Sequence, residues 1–175
     1  MTALEIAELA VFCALMVGGK EAMNSLPNIH PVMLFIILCV KMFRAKALYP
    51  VAGFVIIETL LYGISLWTVC YFYIWPLYTV IAVLCARNDS KLFWALFAGI
   101  CGLLFGALSA FITLALSGFQ AAVAYWVAGI PFDAVHCVSN FVIVLLLYEP
   151  LLKLLNKLKN KTSENKEKNN ENSIN

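Results

Sequence analysis

Lys20, Glu21, Asn24, Asn28, His30, Glu58, Asp133, His136 and Asn140 stand within or against long apolar runs. Placing an ionisable group in a membrane-length segment costs at least about 2.5 kcal/mol, so such residues mark candidate sites. Carboxylates and imidazoles accept hydrogen bonds strongly from N–H donors. Glu58, Asp133 and His136 therefore suit a heterocycle with N–H groups, or an amine. Each residue also has a plainer role open to it. Lys20 and Glu21 serve equally as interfacial charges, Asp133 as a helix cap, and Asn140 as a hydrogen bond between helices. Trp67, Tyr71, Tyr73, Trp75, Tyr78, Tyr125 and Trp126 offer flat surfaces to a solute, or an aromatic belt to a bilayer.

Catalytic and metal constellations are missing from the sequence. The two histidines, His30 and His136, are far apart and form no H-E-x-x-H pair, and no G-x-x-x-x-G-K-[ST] phosphate loop occurs. Cys13, Cys39, Cys70, Cys85, Cys101 and Cys137 are scattered without a C-x-x-C spacing, as expected of small hydrophobes in helices. An enzyme, a metal centre, a bound cofactor and a nucleic-acid partner are all outside this reading.

The elements that position these residues are expected to be transmembrane helices. Of 175 residues 63% are hydrophobic and 13% charged, against roughly a quarter charged in soluble domains. Leu92–Gln120 carries no charge, and about 20 apolar residues suffice to span a bilayer. Strand-like alternation is absent, which excludes a β-barrel. The expected class is an all-α membrane protein of six helices: Ala3–Ser25, Val32–Phe43, Leu48–Gly63, Trp67–Cys85, Leu92–Leu116 and a last one ending near Tyr148. Leu48–Ala86 is too long for one span and must turn at Gly63-Ile64-Ser65. Val32–Phe43 is short, so tilt or shelter by its neighbours is expected. Gly129-Ile130-Pro131 is read as the break before the last helix, because proline favours the first helical position. Asp133 then falls in the first turn, favoured by the helix dipole, with His136 and Asn140 on the same face. The bundle is expected to occupy residues 1–155, and the Asn-, Lys- and Glu-rich stretch 156–175 to be a disordered tail.

Lys41, Arg44 and Lys46 join the second and third helices, Arg87 and Lys91 the fourth and fifth, and Lys153, Lys157, Lys159 and Lys161 follow the sixth. The alternate connections hold almost no cation, so both termini are expected in the cytoplasm. Thr2-Ala3-Leu4-Glu5 reads as a capping box rather than a basic leader, so the first segment is expected to be retained. The polar residues then gather at the outer ends, with Leu26-Pro27-Asn28-Ile29-His30-Pro31 stiffened by its two prolines. Ala3, Ala7, Ala10, Ala14 and Gly18 form a stripe along the first helix that permits close approach of another helix, inside this bundle or from a partner.

The A-x-x-x-A stripe, the run Gly129-Ile-Pro-Phe-Asp-Ala-Val-His-Cys-Val-Ser-Asn140 and the run Leu26-Pro-Asn-Ile-His-Pro-Val32 together resemble the substrate-binding S components of energy-coupling factor (ECF) transporters. The likeness spans about residues 1–155. It implies a multi-pass subunit of a bacterial plasma membrane importer. Such a subunit captures a water-soluble micronutrient, a vitamin or a queuosine-precursor-like heterocycle, at the outer face. It also implies docking of Ala3, Ala7, Ala10 and Ala14 on a transmembrane coupling protein driven by two cytoplasmic ATPases. The alternative is a stand-alone proton-coupled transporter with Glu58, Asp133 and His136 as its relay.

Overall fold

The chain is described from a computed structural model, which defines the backbone of residues 1–172 and the side chains through residue 161. Its regular structure is helical, and the described residues contain no strand. The α-helices are α1 (Ala3–Ala22), α2 (Val32–Phe43), α3 (Leu48–Tyr62), α4 (Leu66–Leu84) and a long run, Lys91–Asn172, interrupted at Gly118. We call its two parts α5 (residues 91–117) and α6 (residues 119–172). A 3-10 turn, Arg44–Ala47, joins α2 to α3.

Local chemistry sets most boundaries. The Thr2 hydroxyl accepts from the Glu5 N–H and starts α1. Glu5 does not complete the capping box; its carboxylate pairs with Lys46 at 2.6 Å, tying the start of α1 to the 3-10 turn. α3 ends on Gly63, whose φ of 72° is available to glycine at little cost. Ser65 and Thr68 then cap α4 reciprocally. The turn lies where the sequence requires one.

The end of the fifth helix lies within two residues of the expected Leu116, but the start of the last helix does not lie at Pro131. Gly118, with φ 82° and ψ 176°, is the non-helical residue, whereas Gly129-Ile130-Pro131 lies inside α6. Proline 131 removes one backbone donor without ending the helix. Asp133 is consequently not in a first turn, and no helix dipole places it. The helix also continues to Asn172, across much of the polar stretch expected to be disordered. The remainder of that stretch, 173–175, lies outside the described residues.

α6 doubles back along α5. Ala98 faces Asn140, Gly102 faces His136 and Gly106 faces Asp133, so the pairs descend one helix while climbing the other. The approach is close because of glycine. A Cβ on Gly102 would stand 2.7 Å from the His136 carbonyl carbon. Gly99, Gly102 and Gly106 thus form a seam that lets α6 lie directly on α5.

α2 is the central rod. Val32, Met33, Leu34 and Ile36 through Val40 are all buried, and α1, α4 and the α5–α6 pair pack around it. Its neighbours shelter this short helix, which is apolar on every face up to Lys41 in its last turn. Large apolar side chains on the outside of the bundle are exposed instead, among them Leu60, Leu84, Leu116, Phe119 and Leu146. Two helical runs, Leu66–Leu84 and Lys91–Lys161, are long and apolar enough to cross a membrane by length and composition.

Ion pairs gather at the two ends of the bundle. At one end lie Glu5–Lys46, Lys91–Glu149 and a clasp around Lys41. Lys41 Nζ donates to the Ala86 and Asn88 carbonyls at 3.1 and 3.0 Å, and to Asp89 Oδ1 at 2.5 Å. Lys41 holds the Asp89 carboxyl below its usual pKa. That ion pair contributes little, since the Asp89 side chain is 86% exposed. The carbonyls matter more, being end groups of α4 and its following turn without a helical donor. Lys41→Met should lower stability by roughly 1–2 kcal/mol, whereas Asp89→Asn should change it little. Thermal unfolding of both variants checks this. Equal losses would place the effect in the ion pair.

Candidate functional site

The other end of the bundle collects the polar residues. Lys20 reaches from the last turn of α1 to Glu58 on α3, with Nζ 2.5 Å from Oε2. Glu58 is 1% exposed, and its Oε1 has no hydrogen-bond partner among the described residues. Burying this pair costs desolvation on both sides, so it is weak evidence for stability alone. Lys20 also meets Glu21 at 3.3 Å and lies over the Tyr62 ring. Tyr62 donates to Glu21 at 2.6 Å and accepts from Asn24 at 3.1 Å. α1 and α3 are thereby joined by a chain of side chains at one rim.

The loop between α1 and α2 closes over α6. Asn28 adopts φ 60°, a region that asparagine tolerates better than most residues. Its Nδ2 donates to the Phe132 carbonyl at 3.2 Å, and its own carbonyl accepts from Ser139 Oγ at 2.9 Å. The loop places His30 inward, where its ring meets His136 at 5.1 Å and Trp75 at 6.1 Å between centroids. Burial, and then the Lys20 ammonium, lower the His30 pKa to about 4.

The sign of the resulting pH effect follows. Unfolded, His30 takes a proton near pH 6.5, while the folded site holds it neutral down to about pH 4. Its contribution is whole above pH 6.5 and is lost as pH falls toward 4. Lys20 and His136 face it and add no compensating negative charge. Acidification from pH 7.5 to 4.5 should lower the unfolding temperature, and His30→Gln should flatten that dependence. Parallel profiles for the two proteins would contradict this.

Two adjoining cavities result. The larger, about 460 Å³, is lined by Lys20, Asn24, Asn28, His30, Glu58 and Tyr62, among others. The smaller, about 260 Å³, is lined by Phe105, Gly106, Ser109, Tyr125, Phe132 and Asp133. Asn28 and Trp67 belong to both. His136 stands behind the partition, touching His30 of one cavity and, at 5.3 Å, Phe105 of the other. Trp75 completes that floor against Phe54, Tyr71 and Phe105.

Asp133 shows how the seam shapes the site. Gly106 donates its N–H to Oδ1 at 2.9 Å, and a Cβ on Gly106 would fall within the carboxylate. The other oxygen, Oδ2, has no hydrogen-bond partner among the described residues, and the residue is 4% exposed. His136, 2% exposed, likewise has no partner on either ring nitrogen among them. Buried polar atoms are usually satisfied, so these sites have capacity for a ligand.

Of the residues expected at the site, Lys20, Asn24, Asn28, His30, Glu58 and Asp133 line a cavity, and Glu21 holds the rim. His136 backs both. Asn140 lines neither; it donates to the Ala98 carbonyl at 3.3 Å and joins α6 to α5. Sequence reasoning missed Tyr62, Phe105, Gly106, Ser109 and Ser139. A signal existed for one of them, since G99-x-x-G102-x-x-x-G106 announces a close helix contact at its last member.

No protein-family model, curated protein or solved structure matches the chain. The resemblance to S components therefore rests on the runs of residues that carry it.

Proposed function

We propose that the chain is the substrate-binding subunit of an ECF-type importer, a six-span bundle in a bacterial plasma membrane with both termini in the cytoplasm. It captures a water-soluble micronutrient at the outer face and docks on a transmembrane coupling protein with two cytoplasmic ATPases. The observation that carries the reading is the convergence of Lys20, Asn28, His30, Glu58 and Asp133 on two cavities at one end of an apolar-faced bundle. A soluble protein would bury its large apolar groups and expose such polar ones. Segregation of Lys41, Lys46 and Lys91 to the opposite end supports the orientation. The proton-coupled alternative has less support, because Glu58 is engaged by Lys20 and lines a different cavity from Asp133.

Uptake of labelled vitamins into cells tests the function. It should require the coupling module with intact ATPases. Uptake by the chain alone that collapses with the proton gradient would favour the alternative. Orientation has its own test. Asn28→Cys should label from outside the cell, and a cysteine after Lys161 only after permeabilisation. An externally labelled tail would overturn the arrangement.

A further inference from the structure

The two cavities differ in chemistry, and the difference bears on the sign of the ligand's charge. The inference rests on the solute-capture reading above. Around the two cavities stand one ammonium, Lys20, and three carboxylates, Glu21, Glu58 and Asp133, of which Lys20 meets the first two. Lys20 is already engaged by Glu58 and Glu21, at 2.5 and 3.3 Å. An anionic solute would have to take Lys20 from both of them and leave Glu58 buried without its partner. Asp133 is in the opposite condition. One oxygen is held by Gly106, and the other is buried and unpartnered beside the smaller cavity. The remaining walls there are largely aromatic: Trp67, Phe105, Tyr125 and Phe132. Ring faces attract cations and stack on flat groups.

We propose that the site selects a cationic, planar solute. Its positively charged N–H group lies on Asp133 in the smaller cavity, and a polar arm extends past Asn28 and Trp67 toward Lys20 and Glu58. The chemical class is an aromatic ring or heterocycle bearing an amidinium, a protonated amine or a ring N–H cation. Glu58 serves to neutralise Lys20, and the site carries an excess of negative charge.

Three flat compounds of nearly equal shape test this on the full-length purified protein: benzamidinium, benzamide and benzoate. Binding is read by calorimetry or by thermal shift. Benzamidinium should bind at least tenfold more tightly than benzoate, with benzamide between them. Asp133→Asn should lower benzamidinium affinity about tenfold or more and remove the preference. Should that variant not fold, Tyr125→Leu should weaken benzamidinium several-fold while Tyr125→Phe retains it. Benzoate binding as tightly as benzamidinium, or no binding of any of the three, overturns the proposal. An anionic solute copurifying with the protein also overturns it, yet leaves solute capture intact; only the lack of any captured solute bears on that broader reading.

Discussion

Asp133→Asn should weaken binding of the natural solute by roughly ten- to more than a hundredfold, with the fold retained. The substitution removes a charge while nearly keeping the shape. A hydrogen bond to a charged acceptor is worth about 1.5–3 kcal/mol, which converts to that range of affinity. The structure sharpens the expectation. Gly106 N–H continues to bond the amide oxygen, so the side chain stays in place, while the unpartnered Oδ2 becomes an NH2 donor aimed at the ligand. Donor then faces donor. His136→Ala should also weaken binding, through the walls of both cavities that it supports. Asn140→Ala should act on stability rather than affinity, since its amide joins two helices. Lys153→Ala, on an exposed position well beyond the cavities, should do nothing. Calorimetry on the purified protein reads all four. Wild-type affinity in both Asp133→Asn and His136→Ala would remove α6 from the site.

On the proposed importer reading, Ala10→Trp with Ala14→Trp should abolish assembly with a coupling module and leave solute binding unchanged. Leu9, Phe12 and Met16 turn the core face of α1 inward, while Ala3, Ala7, Ala10, Ala14 and Gly18 are exposed. The stripe therefore does not serve packing inside this bundle. Ala10 and Ala14 line an apolar groove of about 510 Å³ with Cys13, Tyr49, Pro50, Gly53 and Ile57. α3 approaches α1 there because Gly53 has no side chain; a Cβ would meet Cys13 Sγ at 2.9 Å. Small residues permit the close helix contact that drives association in lipid, and two indoles would fill the groove. Copurification of the coupling protein and ATPases measures the effect. Full assembly and uptake with both indoles present would mean that lipid alone covers this face.

Much of the architecture was legible wherever local chemistry sets it. The turn at Gly63–Ser65 followed from an apolar run too long for one span, and the shelter of α2 from a run too short for one. The end of α5 was legible, since the apolar run expected to stop at Leu116 is followed by the turn pair Ser117-Gly118, but the start of α6 was not, because Pro131 carries the stronger break signal. A proline within a long helix costs one donor, and packing on α5 outweighs that. Residue types at the site could be read one by one, but their partners could not. Lys20 finds Glu58, and Asn28 finds Phe132 and Ser139, only after helix rotation and loop path are set. Lys41 read as a topological charge and proves also to be the clasp on the end of α4.

The central claim is that this end of the bundle holds a small solute. Mass spectrometry of small molecules released from the purified wild-type protein, beside Asp133→Asn prepared identically, tests it most directly. The account predicts one water-soluble compound bearing N–H donors, present in the wild-type sample and strongly depleted in the variant. A compound equally abundant in both, or no released compound from protein that also fails to bind any member of a vitamin panel, would contradict it.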